Sequence, residues 1–257
     1  MILFQREVNK LKHQILALGA AVEENLRLAV QSVLQRDPVL AQRVIAADAP
    51  IDLTEVDVEE ECLKILALHQ PVAHYLRYLI AILKINHDLE RIGDMAVNIA
   101  ERTVAMNGSL PIELPIDLEG MSHRVQHMLA SSLDAMVEFD AELATRVWLS
   151  DDEVDDQHRL NYERLAERLR QHPEEVNRLF SLLTVSRNLE RIADHAASIA
   201  KDIIYMVEGR IVRHQSRVFK ARAGGEEAAP AAPTPQSGNE TTEQPGENPP
   251  GREEIQS

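Results

Sequence analysis

The sequence predicts an all-α protein of two tandem antiparallel three-helix bundles, produced by duplication and followed by a disordered C-terminal tail. Apolar residues recur every three or four positions along most of the chain, as on the buried face of an amphipathic helix. Aromatic residues make up only 4% of the 257 residues, whereas β-sandwiches and barrels need aromatic and β-branched side chains in their strands. A twelve-residue segment near residue 90 also recurs about a hundred residues later.

Three helices are expected in the first half of the chain. The first carries its apolar stripe over residues 11–33 and ends at Asp37-Pro38, because the residue before a proline resists the α region. The second runs over residues 40–68, and Pro50 within it predicts a kink. The third runs over residues 73–106.

The second half repeats this pattern after Asn107-Gly108 and a linker that contains Pro111. Three further helices are expected, at residues 118–138, 141–171 and 174–207. The last ends at Gly209, a residue that favours helix C-caps. We therefore expect a first bundle at residues 1–110 and a second at residues 116–212. Trp148 and Phe180 lie on apolar stripes and are expected in the core.

An internal repeat supports the duplication. Residues 89–100 and 189–200 are identical at eight of twelve positions, and each copy contains a Glu-x-x-x-Asp pair. The second and fifth helices align at an offset of 103 residues, which matches Asp48 with Asp151 and Asp52 with Asp155. The two halves therefore derive from one ancestral bundle.

Carboxylates lie on matching faces of neighbouring helices. Glu90 and Asp94 are four residues apart, so they face the same way and repel each other. The stripe on the third helix is His87, Glu90, Asp94, Asn98 and Glu101, and the stripe on the second helix is Asp48, Asp52, Glu55 and Glu59. If these stripes pack side by side, their oxygens form a site that suits Mg, Ca or Mn, and with imidazole also iron or zinc. Salt bridges to Arg91 and Arg191 are the alternative, and spacing alone leaves it open.

Several function classes are excluded by composition. The formal net charge of -15 argues against a nucleic-acid partner, because phosphate binding needs basic patches. A single cysteine, Cys62, rules out a disulfide framework and fits a reducing cytoplasm. No Glu is followed by His three residues on, which argues against a ferritin-like di-iron oxidase. No apolar run approaches the ~18 residues of a membrane span.

The last segment, residues 223–257, has a different composition. It holds seven Glu against one Arg and six of the twelve prolines, and its only large apolar side chain is Ile255. Such a segment cannot bury enough apolar surface to offset the entropy of ordering it. We therefore expect it to be disordered.

The repeated segment resembles the PhoU family of phosphate-transport regulators. The match extends to residues 47–52, to Gln70-Pro71 and to Leu76-Arg77, and it covers residues 5–210. The resemblance implies a non-enzymatic, cytoplasmic homodimer that partners recruit to the inner face of the membrane. It implies a negative regulator of the phosphate-starvation response that also modulates phosphate uptake. The implied partners are the ATPase subunit of the phosphate ABC transporter and a phosphate-sensing histidine kinase.

The resemblance also implies metal binding, with Fe, Zn, Mn or Mg as candidates. The residues carried over are Asp48, Asp52, Glu90, Asp94 and Asn98 in the first half, and Asp151, Asp155, Glu190 and Asp194 in the second. The second copy departs from the family pattern at Lys201, where an acidic residue is expected, so we expect it to bind cations more weakly. The alternatives are a carboxylate-bridged metalloenzyme on a helical bundle and a purely structural helical scaffold.

Overall fold

The structure, a computed structural model, describes residues 2–106 and 114–212. Within those ranges the secondary structure is helical, which confirms the predicted all-α fold. The α-helices are α1 (Ile2–Gln35), α2 (Pro38–Ala46), α3 (Asp48–His69), α4 (His74–Met106), α5 (Leu118–Glu138), α6 (Ala141–Gln171) and α7 (Val176–Glu208). The expected tail at residues 223–257, the helix end at Asn107-Gly108 and the linker residue Pro111 lie outside the described residues.

The predicted second helix is in fact two helices, α2 and α3. The break lies at Ala47, whose N–H still bonds back to the carbonyl of Arg43. A proline ring clashes with the carbonyl four residues before it, and for Pro50 that residue is Ala46, the last residue of α2. The prediction therefore named the correct cause, Pro50, but the break lies three residues before it. Pro50 itself lies in the first turn of α3, where a backbone N–H would have no helical partner.

Capping residues fix the other helix ends. Asp37, Asp117 and Asp140 precede α2, α5 and α6, and each accepts hydrogen bonds from backbone N–H groups of the first turn. The predicted start of the sixth helix at Glu174 is wrong, because Pro173–Glu175 form a 3-10 turn and α7 begins at Val176. Gly209 ends α7 with φ +71°, a left-handed conformation that favours glycine.

The core follows the predicted apolar stripes. In α1, every member of the stripe is at most 3% exposed: Leu11, Ile15, Leu18, Val22, Leu26, Ala29 and Val33. Trp148 is buried as expected, whereas Phe180 is 57% exposed, so the expectation that Phe180 lies in the core is wrong. Helix α1 packs on α2, α3 and α4, and α5 packs on α6 and α7, so each half forms a helical bundle. The boundaries expected at residues 1–110 and 116–212 stay a prediction, because the described helices form one compact unit.

The two halves join along α4 and α7, which run antiparallel. Lys84 pairs with Asp202 and Asp88 with His195, so the numbering rises along one helix as it falls along the other. Two equivalent antiparallel helices are related by a twofold axis normal to the layer that they form. Helix α3 flanks α4 and α6 flanks α7. The groove between α3 and α4 therefore opens on the same face as the groove between α6 and α7.

Two acidic grooves as the candidate functional site

The first acidic groove lies between α3 and α4 and contains Asp48, Asp52, Glu90 and Asp94. Asp48 is partly buried, and its Oδ1 is fully buried without a hydrogen-bond partner. Burial, Asp52 and Asp94 together raise the pKa of Asp48. The influence of Asp94 shows that α3 and α4 bring these carboxylates together, as the matching stripes predicted.

Glu90 lies in the same groove, with a side chain 22% exposed. Its Oε2 has no hydrogen bond, and the nearest cationic group is Arg91 Nε at 3.3 Å. Burial and the charge of Asp94 raise the pKa of Glu90, and Arg91 and His87 oppose that rise. Glu90 is therefore a carboxylate whose charge is only partly compensated.

Arg91 forms a salt bridge in this groove, as the alternative to a metal site predicted. Its Nη1 donates to Asp94 Oδ2 at 3.1 Å. Both side chains remain more than a third exposed, so the pair contributes little to stability. Asp52 and Asn98 are exposed, and Asn98 lies one turn after Asp94 on the same face of α4.

Sequence reasoning missed the residue that positions Glu55. Asn86 is 1% exposed, and its Nδ2 donates to Glu55 Oε1 at 2.9 Å and to the Glu55 carbonyl at 3.0 Å. This amide therefore fixes the carboxylate of Glu55 beside the groove. The available signal was a polar residue on the buried face of α4, one position before the stripe begins.

The second acidic groove lies between α6 and α7 and contains Asp151, Asp155, Glu190 and Asp194. Asp151 Oδ1 is buried without a hydrogen-bond partner. Burial, followed by Asp194 and Asp155, raises the pKa of Asp151 to about 7, and Lys201 opposes that rise. Burial, Asp194 and Asp155 also raise the pKa of Glu190. The charge of the aspartate on α7 thus acts on the buried aspartate on α6, as that of Asp94 acts on Asp48 in the first half.

A histidine replaces Glu55 in the second half. His158 aligns with Glu55, and Ser186 aligns with Asn86. His158 Nδ1 and Ser186 Oγ are hydrogen-bonded at 2.9 Å, and Asn161 Nδ2 donates to the same hydroxyl at 3.1 Å. Burial and Arg187 lower the pKa of His158, which favours the neutral imidazole that metal ions require.

The carboxylates of each groove do not form a tight cluster. Among the described residues, the group of three candidate ligands within 4.8 Å of one another is His172, Glu174 and Glu175, beyond the end of α6. Arg168 already donates to both oxygens of Glu175, at 2.8 and 2.9 Å. That group stabilises the turn between α6 and α7, and the sequence did not single it out.

The residues of both grooves fit a cation. Three buried oxygens that accept no hydrogen bond lie there, on Asp48, Glu90 and Asp151, and Arg91 Nε lies 3.3 Å from the one on Glu90. Oxygen donors of this kind suit hard divalent cations. A bound cation would replace the missing hydrogen bonds and cancel the repulsion between neighbouring carboxylates. Arg91 and Lys201 oppose cation binding in the first and second groove respectively.

Comparison with known proteins agrees with the duplication. The PhoU domain matches the chain twice, at residues 15–103 and 118–203. The phosphate-specific transport system accessory protein PhoU homolog of Pseudomonas putida is 36% identical over 213 residues, 82% of this chain and 83% of that protein. The Aquifex aeolicus homolog is 37% identical over 210 residues, 82% of this chain and 95% of that protein.

Solved structures show the same fold. The crystal structure of PhoU from Pseudomonas aeruginosa matches with a TM-score of 0.78 at 35% identity, covering 80% of this chain and all of that one. The phosphate transport system regulatory protein PhoU from Streptococcus pneumoniae matches with a TM-score of 0.73 at 27% identity, covering 81% of this chain and 99% of that one. With two copies of the domain, relatives above 30% identity along most of their length and the same helical architecture, the chain belongs to the PhoU family.

Proposed function

We propose that this protein is an accessory regulator of phosphate transport. It keeps the phosphate-starvation response off when phosphate is abundant, and it modulates phosphate uptake. The duplicated PhoU domain carries this proposal, because similar proteins are named as phosphate-specific transport system accessory proteins. Those names describe accessory rather than catalytic proteins, so the chain is proposed to act by binding and not as an enzyme.

Its proposed partners are the ATPase subunit of the phosphate ABC transporter and a phosphate-sensing histidine kinase. The proposal includes a cytoplasmic homodimer that these partners recruit to the inner face of the membrane. Over residues 2–106 and 114–212, none of the helices combines the length and the apolar character needed to cross a bilayer.

The acidic grooves are proposed to bind divalent or trivalent cations, with Fe, Zn, Mn and Mg as candidates. In the first groove Asp48, Glu90 and Asp94 would hold the ion, with Asp52 and Asn98 as further candidates. In the second groove Asp151, Asp155, Glu190 and Asp194 would do so. The buried oxygens that accept no hydrogen bond support this proposal. A bound cation would change the charge of the face that both grooves share, and with it the affinity for a charged partner.

The regulatory proposal is tested by gene deletion. Deletion should raise alkaline phosphatase activity in phosphate-replete medium, and the parent gene should restore repression. If metal binding matters, Asp94→Asn should fail to restore repression, whereas Asp57→Asn, an exposed acidic residue of α3, should restore it. Phosphatase that stays off in the deletion strain, with no second copy of the family present, would contradict the regulatory role.

Metal binding is tested by calorimetric titration of metal-stripped protein with Mn²⁺. We expect the first groove to bind more tightly, because Lys201 brings a positive charge close to Asp151 in the second. Asp94→Asn should therefore abolish the tighter event, and Asp194→Asn should leave it intact. Equal losses in the two variants would reject the asymmetry, and absence of binding in the parent protein would reject the metal sites themselves.

A further inference from the structure

Helix α3 is apolar on two opposite faces. Its inner face lies in the core, where four apolar residues are at most 3% exposed: Ile51, Val58, Cys62 and Ile65. Its outer face carries Leu53, Val56 and Leu63, which are 69%, 47% and 53% exposed. A helix at the surface of a globular protein normally turns a polar face outward. A second, exposed apolar face therefore indicates a surface that another molecule covers.

The outer residues have the spacing of a coiled-coil seam. Steps of three, four, three and four residues separate Leu53, Val56, Glu60, Leu63 and Ala67, and all five residues are exposed. This is the spacing with which one helix packs lengthwise against another. We call these five residues the α3 seam. The seam is apolar at every position except Glu60.

The second half does not repeat the seam. At the offset of 103 residues, the equivalent positions of α6 are Asp156, Arg159, Glu163, Ala166 and Arg170. Four of these five residues are charged, and Arg159 Nη1 donates to Asp156 Oδ1 at 2.8 Å. This is the ordinary solvated face of a surface helix. The α3 seam is therefore a property of the first half and not a by-product of the duplicated fold.

The charge beside the α3 seam is negative. Residues 48–63 include seven acidic residues and no basic one. Glu60 lies within the seam and Glu59 lies along its edge; both are exposed, and neither forms an ion pair within 4.0 Å with another described residue. Neither is among the proposed metal ligands. On the opposite edge Asp57 and Lys64 carry opposite charges, so the charge that stays unbalanced is that of Glu59 and Glu60.

This charge selects among the molecules that could cover the seam. Two copies of the chain that paired seam to seam would bring their carboxylates together, and like charges at an interface are unfavourable. Anionic lipids and nucleic acids would be repelled for the same reason. A helix with basic side chains beside its apolar stripe has the complementary charge.

We propose that the α3 seam binds a basic amphipathic helix of a partner protein. The apolar stripe of that helix packs lengthwise on Leu53, Val56 and Leu63, as in a two-stranded coiled coil. Its Lys or Arg side chains pair with Glu59 and Glu60. Because Glu60 interrupts the apolar row, one basic side chain of the partner lies within its own stripe, and this contact fixes the register of the two helices.

The proposal is tested with a synthetic helical peptide that carries leucines at seam spacing, one lysine within that row and further lysines along its edges. Binding to the full chain is followed by fluorescence anisotropy in EDTA, which keeps the acidic grooves free of metal, and we expect a micromolar dissociation constant. The double substitution Leu53→Ala/Leu63→Ala and the single substitution Glu60→Lys should each weaken binding at least about tenfold. The three residues are exposed, so the fold should persist, which circular dichroism verifies.

The second half supplies matched controls. Glu163→Lys makes the same charge reversal at the equivalent exposed position of α6, and Leu160→Ala truncates another exposed leucine of that helix. Neither should change the affinity for the peptide. A peptide with glutamates in place of the lysines should bind at least about tenfold more weakly. Absence of peptide binding, or equal weakening in the two controls, would overturn the proposal.

Two further outcomes would identify a different occupant. A dimer that Leu53→Ala/Leu63→Ala converts to a monomer, measured by light scattering, would show that a second copy of this chain covers the seam. Residues 210–222 contain five Arg or Lys and no acidic residue. A peptide of that sequence that competes as strongly as the designed peptide would show that the chain's own segment covers the seam. Either result would overturn the proposal of a partner helix.

Discussion

Glu61 is a buried carboxylate of the first half whose charge is compensated by two lysines, and its side chain is 8% exposed. Lys10 Nζ donates to its Oε2 at 2.6 Å, and Lys64 Nζ donates to its Oε1 at 3.4 Å. The hydrogen bond from Lys10 is the main reason that the pKa of Glu61 is lowered, and burial opposes it. This ion pair links the N-terminal part of α1 to α3.

The stability contributed by Glu61 should depend on pH. Its folded pKa lies below the unfolded value of about 4.3, so the contribution is complete above that value and is lost as pH falls through the folded pKa. Glu61→Gln should therefore lower the free energy of unfolding by about 1–2 kcal/mol at pH 7, and by less near pH 3. Urea denaturation at both pH values measures this. Glu60→Gln, an exposed neighbour, is the control, and an equal loss at both pH values would contradict the argument.

At this scale the sequence predicted which carboxylates converge but not what holds them. The pairing of Asp48 with Asp94 followed from stripes at helical spacing on neighbouring helices. The hydrogen bond from Asn86 to Glu55 depends on how far α3 is shifted along α4, which helical spacing does not specify. In the second half, His158 and Ser186 replace Glu55 and Asn86. The sequence alignment shows the two replacements but not that the new residues form a hydrogen bond.

At the scale of the helix, Gly93 is a position where a substitution should make the protein more stable. It lies inside α4, and a Cβ added there would meet Ile51 Cγ2 at 3.5 Å, an ordinary contact. The equivalent residue in α7 is Ala193, which is fully buried. Gly93→Ala should therefore raise the free energy of unfolding by about 0.5–1 kcal/mol, because alanine favours the helix. Thermal denaturation measures the gain.

Gly19 provides the matched comparison on α1. A Cβ there would lie 2.9 Å from Leu133 Cδ2 and 3.1 Å from Cδ1, where α1 packs on α5. Overpacking costs about 1–3 kcal/mol, which offsets the gain in helix propensity. We expect Gly19→Ala to leave stability unchanged or to lower it. A Gly93→Ala variant that melts below the parent would show that α4 needs a glycine for another reason.

Helix ends were predicted where a single residue determines them. The bounds of α5 and α6 agree with the prediction, and aspartate N-caps explain where both begin. The break was predicted at Pro50 but lies at Ala47, because a proline ring clashes with a carbonyl of the preceding turn. Whether the chain at Pro173 begins as a 3-10 turn or an α-helix depends on tertiary contacts, which include the ion pair between Arg168 and Glu175.

At the scale of the described helices, the two halves should unfold as one unit. Lys84 Nζ donates to Asp202 Oδ1 at 3.0 Å, and Asp88 and His195 are hydrogen-bonded at 2.8 Å. These polar pairs accompany an extensive apolar contact between α4 and α7. Exposing that seam in one half would leave the apolar face of the other in water.

Calorimetry of the full chain should therefore show a single transition. Lys84→Met leaves Asp202, which is 7% exposed, with weaker compensation, and should lower the stability by about 1–3 kcal/mol. The transition should stay single, with equal calorimetric and van't Hoff enthalpies. Two resolved transitions, in the parent or in Lys84→Met, would show that the halves are independent.

The sequence predicted two helical bundles but not their mutual packing. A repeat shows that the halves are alike, yet it does not specify which helix of each half faces the other. The exposed ring of Phe180 was unpredictable for the same reason, because an apolar stripe can serve either a core or a docking surface. Only the contacts of α7 with its neighbours distinguish the two.

The antiparallel pairing of α4 with α7 makes the protein bivalent, because it places two equivalent grooves side by side. Two copies of one groove on a common face can be engaged together by a partner that is itself dimeric or carries its binding motif twice. The second engagement then takes place at a high effective concentration, so weak single contacts add up to strong avidity. Loss of one groove would cost such a partner far more than half of its residence time. Duplication within one chain thus achieves what other proteins achieve by assembling subunits.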